Sequence, residues 1–117
     1  MRIRNSEEGL IFAYKVAQLS QYESIRVGAV VVDKKGNIES FSCNLRKTHP
    51  IQFKYAKLAH EDKRIYLHAE IAALIKANKP RKIYVVRIGK KGNRLPAVPC
   101  PVCRGLINHL NVEVVHS

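Results

Sequence analysis

Two short stretches carry residues that can do chemistry together. They are His68-Ala69-Glu70 and, some thirty residues later, Pro99-Cys100-Pro101-Val102-Cys103. One imidazole and two thiolates are donors that zinc prefers, and three protein donors leave a fourth position open for water. Glu70 need not bind the metal. A carboxylate beside a metal-acidified water can take its proton and return it to a substrate. The pattern therefore points to metal-assisted hydrolysis. A lone Cys-x-x-Cys would say far less; the upstream His-x-Glu and the proline before the first cysteine make it specific. The alternative is a structural zinc site, which is closed by four protein donors. Cys43, His49, His60 and His109 are candidates for that fourth donor, but none stands in a recognisable ligand pair. A reading of Cys100 and Cys103 as ordinary buried cysteines leaves the His-x-Glu pair unexplained.

The elements that must position these groups can be read in outline. Ser6, followed by Glu7 and Glu8, reads as a helix start with acids where the helix dipole favours them. Leu10, Ala13, Tyr14 and Ala17 follow at helical spacing. Val27 to Val32 is a continuous apolar run, expected as a strand buried on both faces. Turn residues Asp33 to Asn37 connect it to a second strand over Ile38 to Cys43, forming a hairpin. A basic, weakly periodic stretch from Asn44 to Tyr66 holds a short helix around Phe53 to Ala59. The spacing predicts a helix over Leu67 to Asn78, with Ile71, Leu74, Ile75 and Asn78 as its buried stripe and Pro80 beyond it. Ile83 to Ile88 is expected as a strand and Gly89 to Pro99 as a loop. Cys100 to Leu110 reads as a second short helix, and Val112 to Val115 as the last strand. Both metal-binding motifs thus fall at helix N-termini, where thiol pKa is lowered toward the thiolate that binds metal. A hairpin followed by alternating helices and strands implies a mixed sheet with helices on both faces.

The 117 residues are 46% hydrophobic, which suits one small domain spanning residues 1–117. The polar start, Met1 to Glu8, argues against a signal peptide and against a transmembrane helix. Three cysteines, two of them at metal spacing, argue against a disulfide framework and for a reducing, cytoplasmic setting. The formal charge of +12 attracts phosphate, whether on a mononucleotide, on nucleic acid or on an anionic surface. A solubilising surface that happens to be basic is the plainer alternative.

With those residues in view, the chain resembles the zinc-dependent cytidine/deoxycytidylate deaminase superfamily. The order of elements is similar over nearly the whole chain, and His68-x-Glu70 and Pro99-Cys100-x-x-Cys103 are the specific part. The resemblance implies a three-layer α/β cytidine-deaminase-like fold, truncated at its C-terminal side because the usual fifth strand and terminal helices find no counterpart. It implies Zn2+ held by His68, Cys100 and Cys103. Glu70 would shuttle the proton while zinc-activated hydroxide attacks the ring carbon bearing the amine. It also implies substrate contacts. Asn44 would meet the sugar, the strand at Ala29 would let the base approach, the Ala69 amide would meet the base carbonyl, and Pro99 would line the pocket. On the residues alone, Asn44 is a turn asparagine and Ala29 part of a buried strand. Histidine as first ligand is similar to the deoxycytidylate, tRNA-adenosine, guanine and polynucleotide cytosine deaminases, and unlike free-nucleoside cytidine deaminases. Compact phage and bacterial deoxycytidylate-deaminase-like proteins are the nearest in character.

The implied reaction is deamination of a cytosine nucleotide, deoxycytidylate to deoxyuridylate. Arg46, Lys47 and His49, with Lys54 and Lys57 nearby, are candidate phosphate-binding residues; a solvated basic loop is the alternative. Two other functions stay open: deamination of cytosine or adenine in single-stranded DNA, RNA or tRNA, and a non-catalytic zinc-stabilised nucleic-acid-binding module. An uncovered last strand and a short chain lead to the expectation of a homo-oligomer.

Overall fold

A computed structural model describes residues 2–22, 25–46, 48–59 and 68–117. Its centre is a five-stranded mixed sheet. β1 (Arg26–Val32) and β2 (Ile38–Cys43) form the expected antiparallel hairpin, in register from Gly28 opposite Cys43 to Val31 opposite Ser40, with a one-residue shift before Val32 pairs with Ile38. The Asp33 carboxylate makes the turn by accepting from the amides of Lys35 at 2.8 Å and Asn37 at 3.0 Å. Gly36 sits at φ 87° with the Ile3 carbonyl against it, a position that needs glycine.

On its other side β1 pairs antiparallel with β3 (Lys82–Ile88), Val27 facing Arg87 and Ala29 facing Val85. The far edge of β3 is shared. β4 (Arg94–Leu95) runs antiparallel to its end and β5 (Glu113–His116) parallel to its beginning. β4 lies in the stretch read from sequence as a loop; two residues beside Gly, Lys and Pro give no alternation to detect.

Alternation across the sheet divides the core in two. Val30, Val32, Tyr84, Val86 and Ile88 face α1 (Ser6–Ala17), while Ala29, Val31, Ile83 and Val85 face the other helices. Those are α2 (Pro50–Leu58), α3 (Ala69–Lys76) and α4 (Pro101–His109). Helices therefore cover both faces. α1 lies so close to β1 that a Cβ on Gly28 would come 2.2 Å from the Ala13 carbonyl oxygen.

Helix ends differ from the sequence expectation for local reasons. α1 is capped by Asn5 rather than Ser6, its side chain accepting from Glu8 N at 2.9 Å. α2 starts three residues early because His49 caps it and Pro50 fits the first turn. α3 stops at Lys76: Ala77 is extended, and the Glu39 carboxylate of β2 takes the amides of Asn78 and Lys79 at 3.1 and 2.7 Å. Asn78 is thus exposed outside the helix, not part of a buried stripe. Leu67, expected to begin this helix, lies outside the described residues. No helix of the described residues is long and apolar enough to cross a membrane.

Candidate active site

Two helix starts converge beneath the sheet's α2–α4 face. His68 is the N-cap of α3 and Cys100 the N-cap of α4, with Cys103 one turn into that helix. Nδ1 of His68 lies 3.2 Å from Cys103 Sγ and 3.5 Å from Cys100 Sγ. All three donor atoms lie within 4.8 Å of one another. In a tetrahedral zinc site with ordinary bond lengths, neighbouring N and S ligands are about 3.5 Å apart. The donor set, and the two His68–Cys distances, fit zinc.

The electrostatics fit as well. A hydrogen bond from Cys103, aided by His68 and opposed by burial, draws the Cys100 thiol down to about 3. Cys103 is pushed up by the same bond and by its own burial. The lowered Cys100 thiol favours the thiolate form that binds metal.

Glu70 is buried beside them, in the first turn of α3. Burial raises its pKa; the neighbouring His68 opposes this. A carboxyl so placed holds and releases a proton nearer neutrality than an exposed one does.

Beside the cluster opens a cavity of about 370 Å³. Its apolar wall includes Ile25, Val27, Val85 and Pro96 to Val98, and its polar wall is His68, Glu70, Cys100, Asn44 and Arg87. That volume lies in the usual range for small-molecule sites, roughly 300–1,000 Å³.

The family model for the cytidine and deoxycytidylate deaminase zinc-binding region matches residues 4–116. The chain belongs to that family. It is a zinc-dependent deaminase, with Zn2+ as its cofactor. Solved structures agree on the fold. The cytidine deaminase of Mycobacterium tuberculosis superposes with a TM-score of 0.60 at 20% identity, covering 98% of this chain and 85% of that one. The cytidine deaminase of Mycobacterium leprae gives 0.61 at 17% identity, covering 96% and 87%. None of the curated proteins matches the chain in sequence.

Set against this deaminase framework, the expected site residues fall into two groups. His68, Glu70, Cys100, Asn44 and Ala69 all line the cavity. Asn44 is locked in place: Oδ1 accepts from the Ser20 hydroxyl at 2.6 Å and the Val27 amide at 3.0 Å, and Nδ2 donates to the Ile25 carbonyl at 3.3 Å. One N–H of that amide remains for a ligand.

The other group lies off the cavity. Ala29 is fully buried in the core, and Val27, one step nearer the strand's start on the same face, lines the cavity instead. Pro99 is buried and does not line the cavity, which Pro96, Ala97 and Val98 do. Arg46 is exposed and stacks on Tyr22 at 4.9 Å. His49 spends its Nδ1 accepting from Ile51 N at 3.1 Å, as the cap of α2. Lys47 lies outside the described residues.

The candidate fourth donors do not join the cluster. Cys43 packs in the core on the α1 side, and His109 is exposed at the end of α4. His60 is outside the described residues. Among the described residues the cluster has three donors, which suits a site that keeps a position for water.

Two residues were missed from sequence. Gln52 is fully buried on α2 and its Oε1 accepts the His68 backbone amide at 3.2 Å, fixing where α3 begins. Arg87 lines the cavity from β3. Its signal was available: a cation on the same strand face as Ile83 and Val85, inside an apolar run.

Proposed function

We propose that the chain deaminates a cytosine nucleotide, converting deoxycytidylate to deoxyuridylate. The observation that carries this reading is a buried Glu70 beside a three-donor cluster, both opening on one cavity. His68, Cys100 and Cys103 would hold the zinc, which would supply acidification of a water beside Glu70. Glu70 takes a proton from the attacking water and delivers it to the ring nitrogen, and then passes the second water proton to the departing amine. The water oxygen replaces the amine on the ring carbon, and ammonia leaves. The Ala69 amide, at the positive end of α3, donates to the base carbonyl. The free N–H of Asn44 meets the sugar, and the apolar wall excludes bulk water around the base. His68 as first ligand supports a nucleotide over a free nucleoside.

A second substrate reading, cytosine or adenine in single-stranded nucleic acid, is favoured by the net charge of +12. Salt separates the two. A polynucleotide releases many counterions and shows a steep log–log salt slope, while a mononucleotide shows a shallow one. The deciding assay is ammonia release by the zinc-loaded protein across deoxycytidylate, deoxycytidine, cytidine and short oligonucleotides. Deoxycytidylate turning over fastest supports the reading; activity confined to oligonucleotides or to nucleosides refutes it.

We also place the protein in the cytoplasm as a homo-oligomer. The three free cysteines fit a reducing compartment. β5 pairs with β3 on one side only among the described strands, and Ile11 and Phe41 are large exposed apolar side chains. Light scattering at assay concentration tests this; an active monomer refutes it.

A further inference from the structure

We infer that Arg87 receives the substrate's phosphate and sets a preference for nucleotide over nucleoside. This rests on the cytosine-nucleotide reading above, and it assigns the anion contact to a strand residue rather than to the loop after Asn44. Along β3, Ile83, Val85 and Arg87 point to the same face, the face that α3 covers with Glu70. Val85 is fully buried and Arg87 half-buried, so the cavity wall they share runs from the core toward solvent. The step from Val85 to Arg87 is about 6.8 Å. A base held at Glu70, with its sugar at Asn44, directs its phosphate outward along such a wall.

Arg87 is the one permanent cation lining this cavity among the described residues. Its Nε is buried and has no hydrogen-bond partner. A desolvated guanidinium N–H without an acceptor is costly, and a phosphate oxygen removes that cost. The orphan atom alone would prove little, since Arg26 has one too. Arg26 faces the other side of the sheet, opposite Ile88, and does not line the cavity. Placement is what separates them.

The backbone under Arg87 is held on both sides. It pairs with Val27 of β1 and Leu95 of β4, and its amide donates to Ser117 Oγ at 3.4 Å. Ser117 Oγ in turn donates to the Leu95 carbonyl at 2.7 Å. A planar guanidinium on a fixed strand suits two-point phosphate binding. By contrast, Arg46 is stacked on Tyr22, Lys54 lies over Tyr55, and His49 caps a helix.

The test uses the zinc-loaded protein and its Arg87→Gln and Arg87→Lys variants, with zinc content as a folding control. kcat/KM is measured for deoxycytidylate and deoxycytidine, and binding of each is measured by calorimetry. We expect Arg87→Gln to lose about 100-fold on deoxycytidylate, mostly in KM, and less than about threefold on deoxycytidine. Arg87→Lys should recover part of the loss. Equal losses on both substrates, or none, overturn the inference, as does a wild type with no preference for the nucleotide. The two readings fail separately. Arg87-dependent nucleotide binding without turnover of deoxycytidylate sinks the substrate reading and keeps this one; turnover without Arg87 dependence does the reverse.

Discussion

The four helices of the described residues begin in two different ways. α1 and α2 start on residues that cap them: Asn5 accepts from Glu8 N and His49 from Ile51 N. α3 and α4 start on His68 and Cys100, and neither side chain caps its own helix. The backbone differs as well. The capping residues have φ near −150°, at −155° and −151°, while His68 and Cys100 sit at −74° and −69°. A side chain cannot both fold back on its helix amides and reach out to a shared ion. The helices that hold the site have therefore given up about 1 kcal/mol each of capping stabilisation. Metal binding replaces it, and binding energy of this kind is also folding energy. Where a helix would ordinarily gain a local cap, this chain has placed chemistry.

The largest way to break that contrast is to remove a ligand. His68→Ala, Cys100→Ala or Cys103→Ala should abolish tight zinc binding and deamination together, and lower the melting temperature by many degrees. Metal analysis with calorimetry checks this; full zinc in all three variants would show that the helix starts do not hold the ion. Next in size is Glu70→Gln, which leaves the ligands alone. It should keep zinc and fold while losing roughly 10²–10⁴-fold in kcat. Normal turnover by that variant would mean that some other group moves the proton.

A third substitution tests whether the capped region supports the metal-binding one. Gln52 sits on α2, fully buried, and holds the His68 amide. Gln52→Leu strands that amide and should cost about 1–3 kcal/mol in stability. Zinc affinity should fall by roughly 10–100-fold, as when outer groups that orient a ligand are removed. Competition with a chromogenic chelator reads the affinity; an unchanged value would make Gln52 a core residue only.

Legibility in the sequence follows the same divide. The hairpin, the central strand and the grouping of His68, Cys100 and Cys103 could be read because each is a local pattern: a β-branched run, turn residues, ligand spacing. What could not be read depends on contacts distant in sequence. The end of α3 is set by Glu39 on β2, and β4 exists because β3 offers an edge at Arg87 and Ile88. His49 is a candidate phosphate ligand by type alone; that its Nδ1 accepts from Ile51 N and caps α2 is visible only in the structure. Ala29 and Val27 lie on one face of one strand, and sequence cannot say which of them reaches the cavity. Arg87 shows the converse: its odd place in an apolar run was visible, but the cavity it lines was not.

The smallest effect is the sharpest test of the contrast itself. Asn5→Ala removes a cap from α1 and should cost about 1 kcal/mol whether or not zinc is present. His68→Asn does the opposite at α3. It deletes a ligand but offers a good capping side chain. In zinc-replete buffer that variant should be far less stable than wild type. With zinc chelated from both proteins, it should be more stable than wild type by about 0.5–1 kcal/mol, since the helix regains its cap. Denaturant melts in the two buffers measure both differences. If His68→Asn is no better than wild type without zinc, α3 was never short of a cap, and the different starts of the helices reflect chain path alone.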